Sequence, residues 1–190
     1  MDPALVAVLV IVGVILLIAI IILAWWISTM NALRRLNVKV DEAESGIDVA
    51  LTKRFDLLTK QVAIVKGVAK HEKETLESVI AMRRPEKDAS MKEKSEFATS
   101  VSKAFDSINV VMERYPELKA TENFSILQKQ AFEAEEQLQA ARRLYNANVS
   151  TLNQKIVTFP ASMVAGKIGI TKRDFFEAEA SKREDVKIEF

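Results

Sequence analysis

The 190-residue chain has no cysteine, one histidine, four prolines and five glycines. Without cysteine there are no disulfides, no thiol catalysis, no thiolate metal site and no lipidated cysteine anchor. The lone histidine, His71, is followed by Glu72, which matches the start of the zinc motif H-E-x-x-H. That motif needs a second histidine one turn on, and position 75 is Thr. A di-iron bundle site fails for the same reason, since it needs a Glu-x-x-His pair on each of two helices. No Ser–His–Asp set stands out, since the only histidine a Ser or Thr could pair with is His71 on the long first helix, and no glycine-rich phosphate loop is present. Twenty-seven basic residues against 26 acidic ones leave a net charge of +1. That balance removes the bulk electrostatic case for nucleic acid. Little Gly and Pro beside much Ala, Glu, Lys and Leu reads as helical.

What is present begins with grease. From Pro3 to Ile27 there is no charged, amide or hydroxyl side chain. A hydrocarbon core of about 30 Å takes roughly 20 apolar helical residues, and this run exceeds that. Leu5 to Leu23 is nearly all Val, Ile and Leu on every face. Trp25 and Trp26 follow, where amphipathic rings favour the headgroup layer. A buried helix of a large soluble core is the weaker reading, because the remaining chain is too small to surround it. A cleaved signal peptide is also weaker. The basic n-region is missing, the apolar run is too long and no clear cleavage site follows. Asp2 lies on one side of the span; Arg34, Arg35 and Lys39 lie on the other. Basic flanks stay in the cytoplasm. The expected topology is an N-terminus outside and the C-terminal part inside.

No proline occurs between Pro3 and Pro85. The first helix is therefore predicted to run unbroken through Arg83, roughly 80 residues and about 120 Å. Leu51, Phe55, Leu58, Val62, Val65, Ala69, Leu76 and Val79, with Glu72 the polar member, form an a/d heptad seam. Leu36, Val40, Ala43 and Ile47 form a similar seam joined to it by successive four-residue steps, a stutter. Gly46 at that junction suggests a bend, and Ser28 to Asn31 reads as helix or short hinge. Pro85 ends the helix. Ser90 and Glu93 have the form of a capping box, opening a helix with Phe97, Val101, Phe105, Ile108, Met112 and Tyr115 on one stripe until Pro116. A third helix starts near Thr121 to Ser125. It runs to about Phe159 with Leu127, Ala131, Ala134, Leu138, Ala141, Tyr145, Val149, Leu152, Ile156 and Phe159 on its stripe. After Pro160, Ala161 to Ile170 makes a short fourth helix ending at Gly166 or Gly169. The stretch Phe159 to Ile170 has two readings: it closes one end of the bundle, or it touches membrane or a partner. In the charged tail from Thr171, Phe175 and Phe176 are placed to dock, and Val186, Ile188 and Phe190 alternate as an extended end does.

The expected fold is all-α: a single transmembrane helix, then an antiparallel bundle of three long helices plus a short fourth. Its parts are an anchor over 1–28, a juxtamembrane helix or linker over 29–46, a bundle over 47–170 and a charged tail over 171–190. Candidate polar residues lie on or beside the apolar stripes. Asp48 and Glu72 are expected to pair inside the bundle with Lys53, Arg54 or Arg142 and to set register. Asn146 and Asn153, seven residues apart, are expected to do the same through hydrogen bonds. Glu135 and Glu136 are adjacent on a helix and point about 100° apart, so they read as a solvated face rather than a catalytic pair. Trp25, Trp26, Arg34 and Arg35 are the interface anchors.

An ordered series of blocks resembles the LemA family. It comprises Ile47-Asp48-Val49 with Arg54, Asp56 and Leu57, then Val65-Lys66-Gly67, His71-Glu72 and Thr75-Leu76. Tyr115-Pro116-Glu117-Leu118-Lys119-Ala120, Asn123-Phe124, Leu127-Gln128, Ala141-Arg142, Tyr145-Asn146, Asn153, Phe159-Pro160 and Phe176-Glu177-Ala178 continue it. The resemblance implies one N-terminal membrane helix and a helical-bundle domain, with no established catalytic activity. A magnetosome membrane protein of the same family hints at membrane organisation. Two departures stand out. Thr59 replaces a proline usual in the family, which should straighten the first helix. Ala134-Glu135-Glu136-Gln137 stands where the family has Thr-Glu-Asn-Arg, keeping a carboxylate but losing the amide and the guanidinium.

The expected function is that of a membrane-anchored interaction or self-assembly scaffold. The lipid bilayer and self-association or other membrane proteins are its partners, with no cofactor, no nucleic acid and no small-molecule substrate. The alternatives are an extracytoplasmic bundle with envelope partners, and an enzyme using carboxylates or metal.

Overall fold

The structure is a computed structural model that describes residues 2–68 and 72–177. All regular elements among these residues are helices: α1 (Pro3–Val68), α2 (Lys73–Ile80), α3 (Met91–Glu113), α4 (Pro116–Lys119), α5 (Glu122–Val157) and α6 (Ala161–Ile168). The chain forms two compact units, one of residues 1–41 with 148–173 and the other of residues 42–147 with 174–190. His71, Ala69 of the seam and the alternating end from Val186 lie outside the described residues.

In the first unit, α1 is exposed on every face from Pro3 through Trp25. It is long and apolar enough to cross a membrane, and none of its apolar window is buried. Burial begins abruptly: Trp26 is half-buried, Thr29 is 9% exposed and Leu33 fully buried. Ser28 to Asn31 is helix, not hinge. The same unit includes the end of α5, where Val149 and Leu152 are buried, and α6, where Ala161, Val164 and Ala165 are buried. Gly169 ends α6 in the left-handed region at φ 69°, a conformation that costs glycine little.

In the second unit three long helical segments pack around Ile47, Leu58, Val101, Ile108, Leu138 and Tyr145, each at most 1% exposed. On α3 the Ser90 hydroxyl accepts from the Glu93 N–H while the Glu93 carboxylate accepts from the Ser90 N–H, so two orphan donors are satisfied. Lys53 and Arg54 meet Gln137 and Glu135, numbers rising on α1 as they fall on α5, so these two helices are antiparallel. Asp48 meets Lys94 and Arg54 meets Ser102, so α1 and α3 run the same way.

The return between them corrects the first helix. It stops at Val68, just after Gly67, instead of reaching Arg83. Glu72 then bonds Arg114 near the end of α3, Arg84 approaches Asp56, and the Lys87 carbonyl reaches Lys94. The chain thus descends beside α1, and folding back buries Leu76 and Val79 at 4% and 3% exposure. A straight helix would carry them past the end of α3 into water. Gly46 causes no break, and Thr59 continues α1 with its hydroxyl donating to the Phe55 carbonyl. Pro116 does more than stop α3; it opens the single turn of α4, where its missing N–H costs nothing. Phe159 leaves the predicted stripe and is 75% exposed, because α5 ends two residues earlier.

Candidate functional site

The polar residues of the second unit gather into two charged clamps and one strap. The first clamp was invisible in the sequence pattern. Lys94 lies one turn into α3, where the helix faces α1, and its side chain is 1% exposed. Its ammonium meets Glu44 at 2.9 Å and Asp48 at 2.8 Å. Glu44 and Asp48 are one turn apart on α1, so both carboxylates share a face. Burial alone would depress the Lys94 pKa. The hydrogen bonds it donates to Asp48 and Glu44, together with their charges, outweigh it and hold the pKa above the usual 10.5. Lys94 stays charged through the physiological range.

The second clamp centres on Arg54, 7% exposed. One guanidinium nitrogen sits 2.8 Å from a Glu135 oxygen; another donates to Ser102 Oγ at 3.0 Å. Its carbon lies 5.4 Å from the centroid of the Phe105 ring. A planar, weakly hydrated cation suits such a site better than an ammonium. The space enclosed among Arg54, Glu135, Arg142 and Phe176 is about 10 Å³. That is room for one water at most. These groups hold α1, α3 and α5 together. A larger opening of about 570 Å³ beside Asp48, Lys53, Asp56, Lys60, Gln130 and Glu133 is an open groove of mixed charge.

These contacts correct the expected pairings. Asp48 pairs with Lys94, not with Lys53, Arg54 or Arg142. Glu72 pairs with Arg114 across a bridge whose arginine is 58% exposed, so it contributes little stability. Lys53 instead donates to Gln137, which stands in the departure from the family pattern. Arg142 faces backbone and a ring: it lies 4.7 Å from the centroid of Phe176 and donates to the Glu177 carbonyl.

The strap is the segment after α6. In the second unit, Asn146 donates to the Phe176 carbonyl and accepts from its N–H, at 3.0 and 2.9 Å. Tyr145 donates to the Asp174 carbonyl and Ser95 to that of Glu177. Phe176 is buried, at 3% exposure, while Phe175 remains 47% exposed. In the first unit, Asn153 pairs in the same two-handed way with the backbone of Arg173, whose guanidinium bonds Asp41. The amide of an asparagine carries a donor and an acceptor side by side. Each therefore substitutes for a neighbouring strand, satisfying a backbone that has no sheet. Asn146 and Asn153 anchor an extended segment rather than align two helices.

No cluster of three His, Cys, Asp or Glu able to hold a metal ion occurs among the described residues. Of the interface anchors, Trp25, Arg34 and Arg35 are exposed and Trp26 is half-buried. The geometry defines an all-α protein whose polar clusters lock helices and a strap, with one apolar N-terminal helix suited to a membrane. The LemA family model matches residues 43–190, and the chain belongs to the LemA family. It is similar to the Protein LemA of Metamycoplasma hominis, 27% identical over 163 residues, which covers 85% of this chain and 74% of that relative.

Proposed function

We propose that the chain is a single-pass protein of the bacterial cell membrane whose helical domain lies in the cytoplasm. There it acts by contact with other proteins or with copies of itself, without catalysing a reaction. One observation carries the membrane assignment. The apolar residues from Leu5 to Leu23 are exposed on all sides, with Ile20 at 63% and Leu23 at 60%. Leaving that surface in water instead of lipid costs on the order of tens of kcal/mol. The basic flank supports a cytoplasmic domain. Exposed Val49, Val110, Phe132 and Leu144 on the second unit support a protein-contact role. The polar clusters, packed shut around their own ion pairs, are consistent with it.

Because the chain has no cysteine, one introduced thiol is a unique reporter. Lys103→Cys, on the exposed face of α3, should react with an impermeant maleimide only after the cells are permeabilised. Labelling of intact cells would place the domain outside instead. Cross-linking in native membranes should recover a homo-oligomer or a discrete partner. A strictly monomeric chain with no partner, or turnover of a small molecule by the pure protein, would overturn the scaffold role.

A further inference from the structure

The foot of the first unit combines three features that the span alone does not explain. One is position. Asn148 donates to the Lys39 carbonyl, which fixes one level between α5 and α1. This unit contains α1 only to Asp41, so α5 can continue to Val157 only by running back along α1. Nine residues from 148 to 157 bring it level with about residue 30, nine before Lys39, at equal rise per residue. The α5–α6 turn therefore sits beside the place where burial of α1 begins, at Trp26 and Thr29. Tryptophan at the end of an apolar span marks the headgroup layer.

The second feature is exposed grease on that turn. Val157, Phe159 and Met163 are 57%, 75% and 59% exposed, while their neighbours Ala161, Val164 and Ala165 are buried. The third is charge. Residues 29–41 and 148–173 hold seven Lys and Arg against one acid, Asp41, or +6, in a chain of net +1. Residues 148–173 contain no acid at all, and Lys155, Lys167 and Lys172 are exposed.

We propose that the α5–α6 turn is a second membrane contact: Phe159 and Met163 enter the headgroup layer around the span, and the basic collar binds anionic phospholipid. This rests on the reading of α1 as a membrane span. Apolar side chains beside a cluster of cations are what an anionic leaflet attracts. The contact fixes the foot of the unit to the bilayer surface and gives the protein a preference for anionic lipid that a bare span lacks.

The test uses the full chain in nanodiscs whose lipids are brominated near the headgroup. In a chain with Trp25→Phe and Trp26→Phe, Phe159→Trp is the sole tryptophan; Met163→Trp is built likewise. Both sites are exposed, so unchanged helical circular dichroism is the fold control. In phosphatidylglycerol discs both should emit blue-shifted and be quenched by bromine. Replacing Lys155, Lys167 and Lys172 with Gln should reduce quenching toward its level in phosphatidylcholine discs. Water-like, unquenched emission, with Trp25 and Trp26 of the native chain still quenched, would sink the second contact and leave the span intact. A chain that fails to enter discs would sink the span and the contact together. Blue-shifted but unquenched emission would mean protein covers the turn, and indifference to the lysines would remove the anionic preference; either overturns the proposal.

Discussion

The two ways this molecule satisfies buried polar groups make an instructive pair. Between α1, α3 and α5 it uses charge: Lys94 with Glu44 and Asp48, Arg54 with Glu135. Along α5 it uses neutral amides: Asn146 on Phe176 and Asn153 on Arg173. The ion pairs of the clamps join side chain to side chain and so depend on both partners' charge. The amides join side chain to backbone and accept any residue on the strap whose main chain can be reached. Helix pairing is therefore specified by sequence at both ends, whereas the strap is specified mainly at α5.

The comparison breaks most visibly at Arg54. Arg54→Met removes the cation beside the Glu135 carboxylate, which keeps its bond from Gln139, and leaves the Ser102 hydroxyl only its bond to the Ala98 carbonyl. The expected loss is about 3 kcal/mol, at the low end for a broken buried pair because Glu135 is 29% exposed. Arg54→Lys should recover only part of it, since an ammonium cannot fork to Glu135 and Ser102 while lying over Phe105. Thermal unfolding of the detergent-solubilised chain, followed by helical circular dichroism, measures both. Equal stability of Arg54→Met and wild type would show that the clamp is ornamental.

Asn146→Ala should cost less, about 2 kcal/mol, for two lost backbone bonds to Phe176. Its signature is local: limited proteolysis should cut sooner between residues 171 and 177, while the helices melt nearly as before. Asn146→Asp keeps the acceptor and loses the donor, so it should fall between. Unchanged cleavage in the Ala variant would mean that Phe176 burial and the bonds from Tyr145, Ser95 and Arg142 hold the strap without Asn146.

Alkali sharpens the contrast. The Lys94 pKa is raised in the folded chain, chiefly by the Asp48 and Glu44 hydrogen bonds that overcome its burial. The folded state thus holds this proton more tightly than the unfolded state. The stabilisation is complete below the ordinary value of 10.5 and is lost as pH rises through the higher folded value. Lys94→Met should be destabilised at neutral pH by about 2 kcal/mol, its carboxylate partners being partly exposed. It should also lack this alkaline component of the melting curve. Asn146→Ala should keep it, since amides do not titrate. An alkaline profile for Lys94→Met identical to wild type would remove the clamp's role.

Much of this architecture was legible because apolar spacing and punctuation are strong local signals. The uninterrupted grease to Ile27, the Ser90–Glu93 box and an end of α6 at Gly166 or Gly169 each follow from a few residues; the structure selects Gly169. The end of α1 before Arg83 was not legible, because no proline marks it and the heptad runs on through Leu76 and Val79. Lys94 escaped notice for a different reason. A lysine one turn into a helix reads as solvated, and only the chance to meet two carboxylates from α1 makes its burial affordable. The partners of Asp48 and Arg54 were likewise three-dimensional facts, since several cations lay at compatible spacings.

The apparent stutter near Gly46 has the same root and yields the smallest expected effect. Buried positions on α1 continue at 29, 33, 40, 43, 47, 50, 54, 57 and 61, with half-buried 36 between, so one heptad phase runs through Gly46 to residue 61. It only looks broken because beyond Gly46 two of its members, Arg54 and Gln61, are polar, while Leu51, Leu58 and Val62 beside them widen the stripe. Arg54 has Glu135 to justify its place. Gln61 is 1% exposed, and its side-chain oxygen has no hydrogen-bond partner among the described residues. Burying such an acceptor costs about 1 kcal/mol or more. Gln61→Leu should therefore raise the melting temperature, by an amount equivalent to about 1 kcal/mol, without altering proteolysis of the strap or the alkaline profile. A destabilised Gln61→Leu would instead assign the amide a polar role inside the bundle that its unpaired oxygen does not reveal.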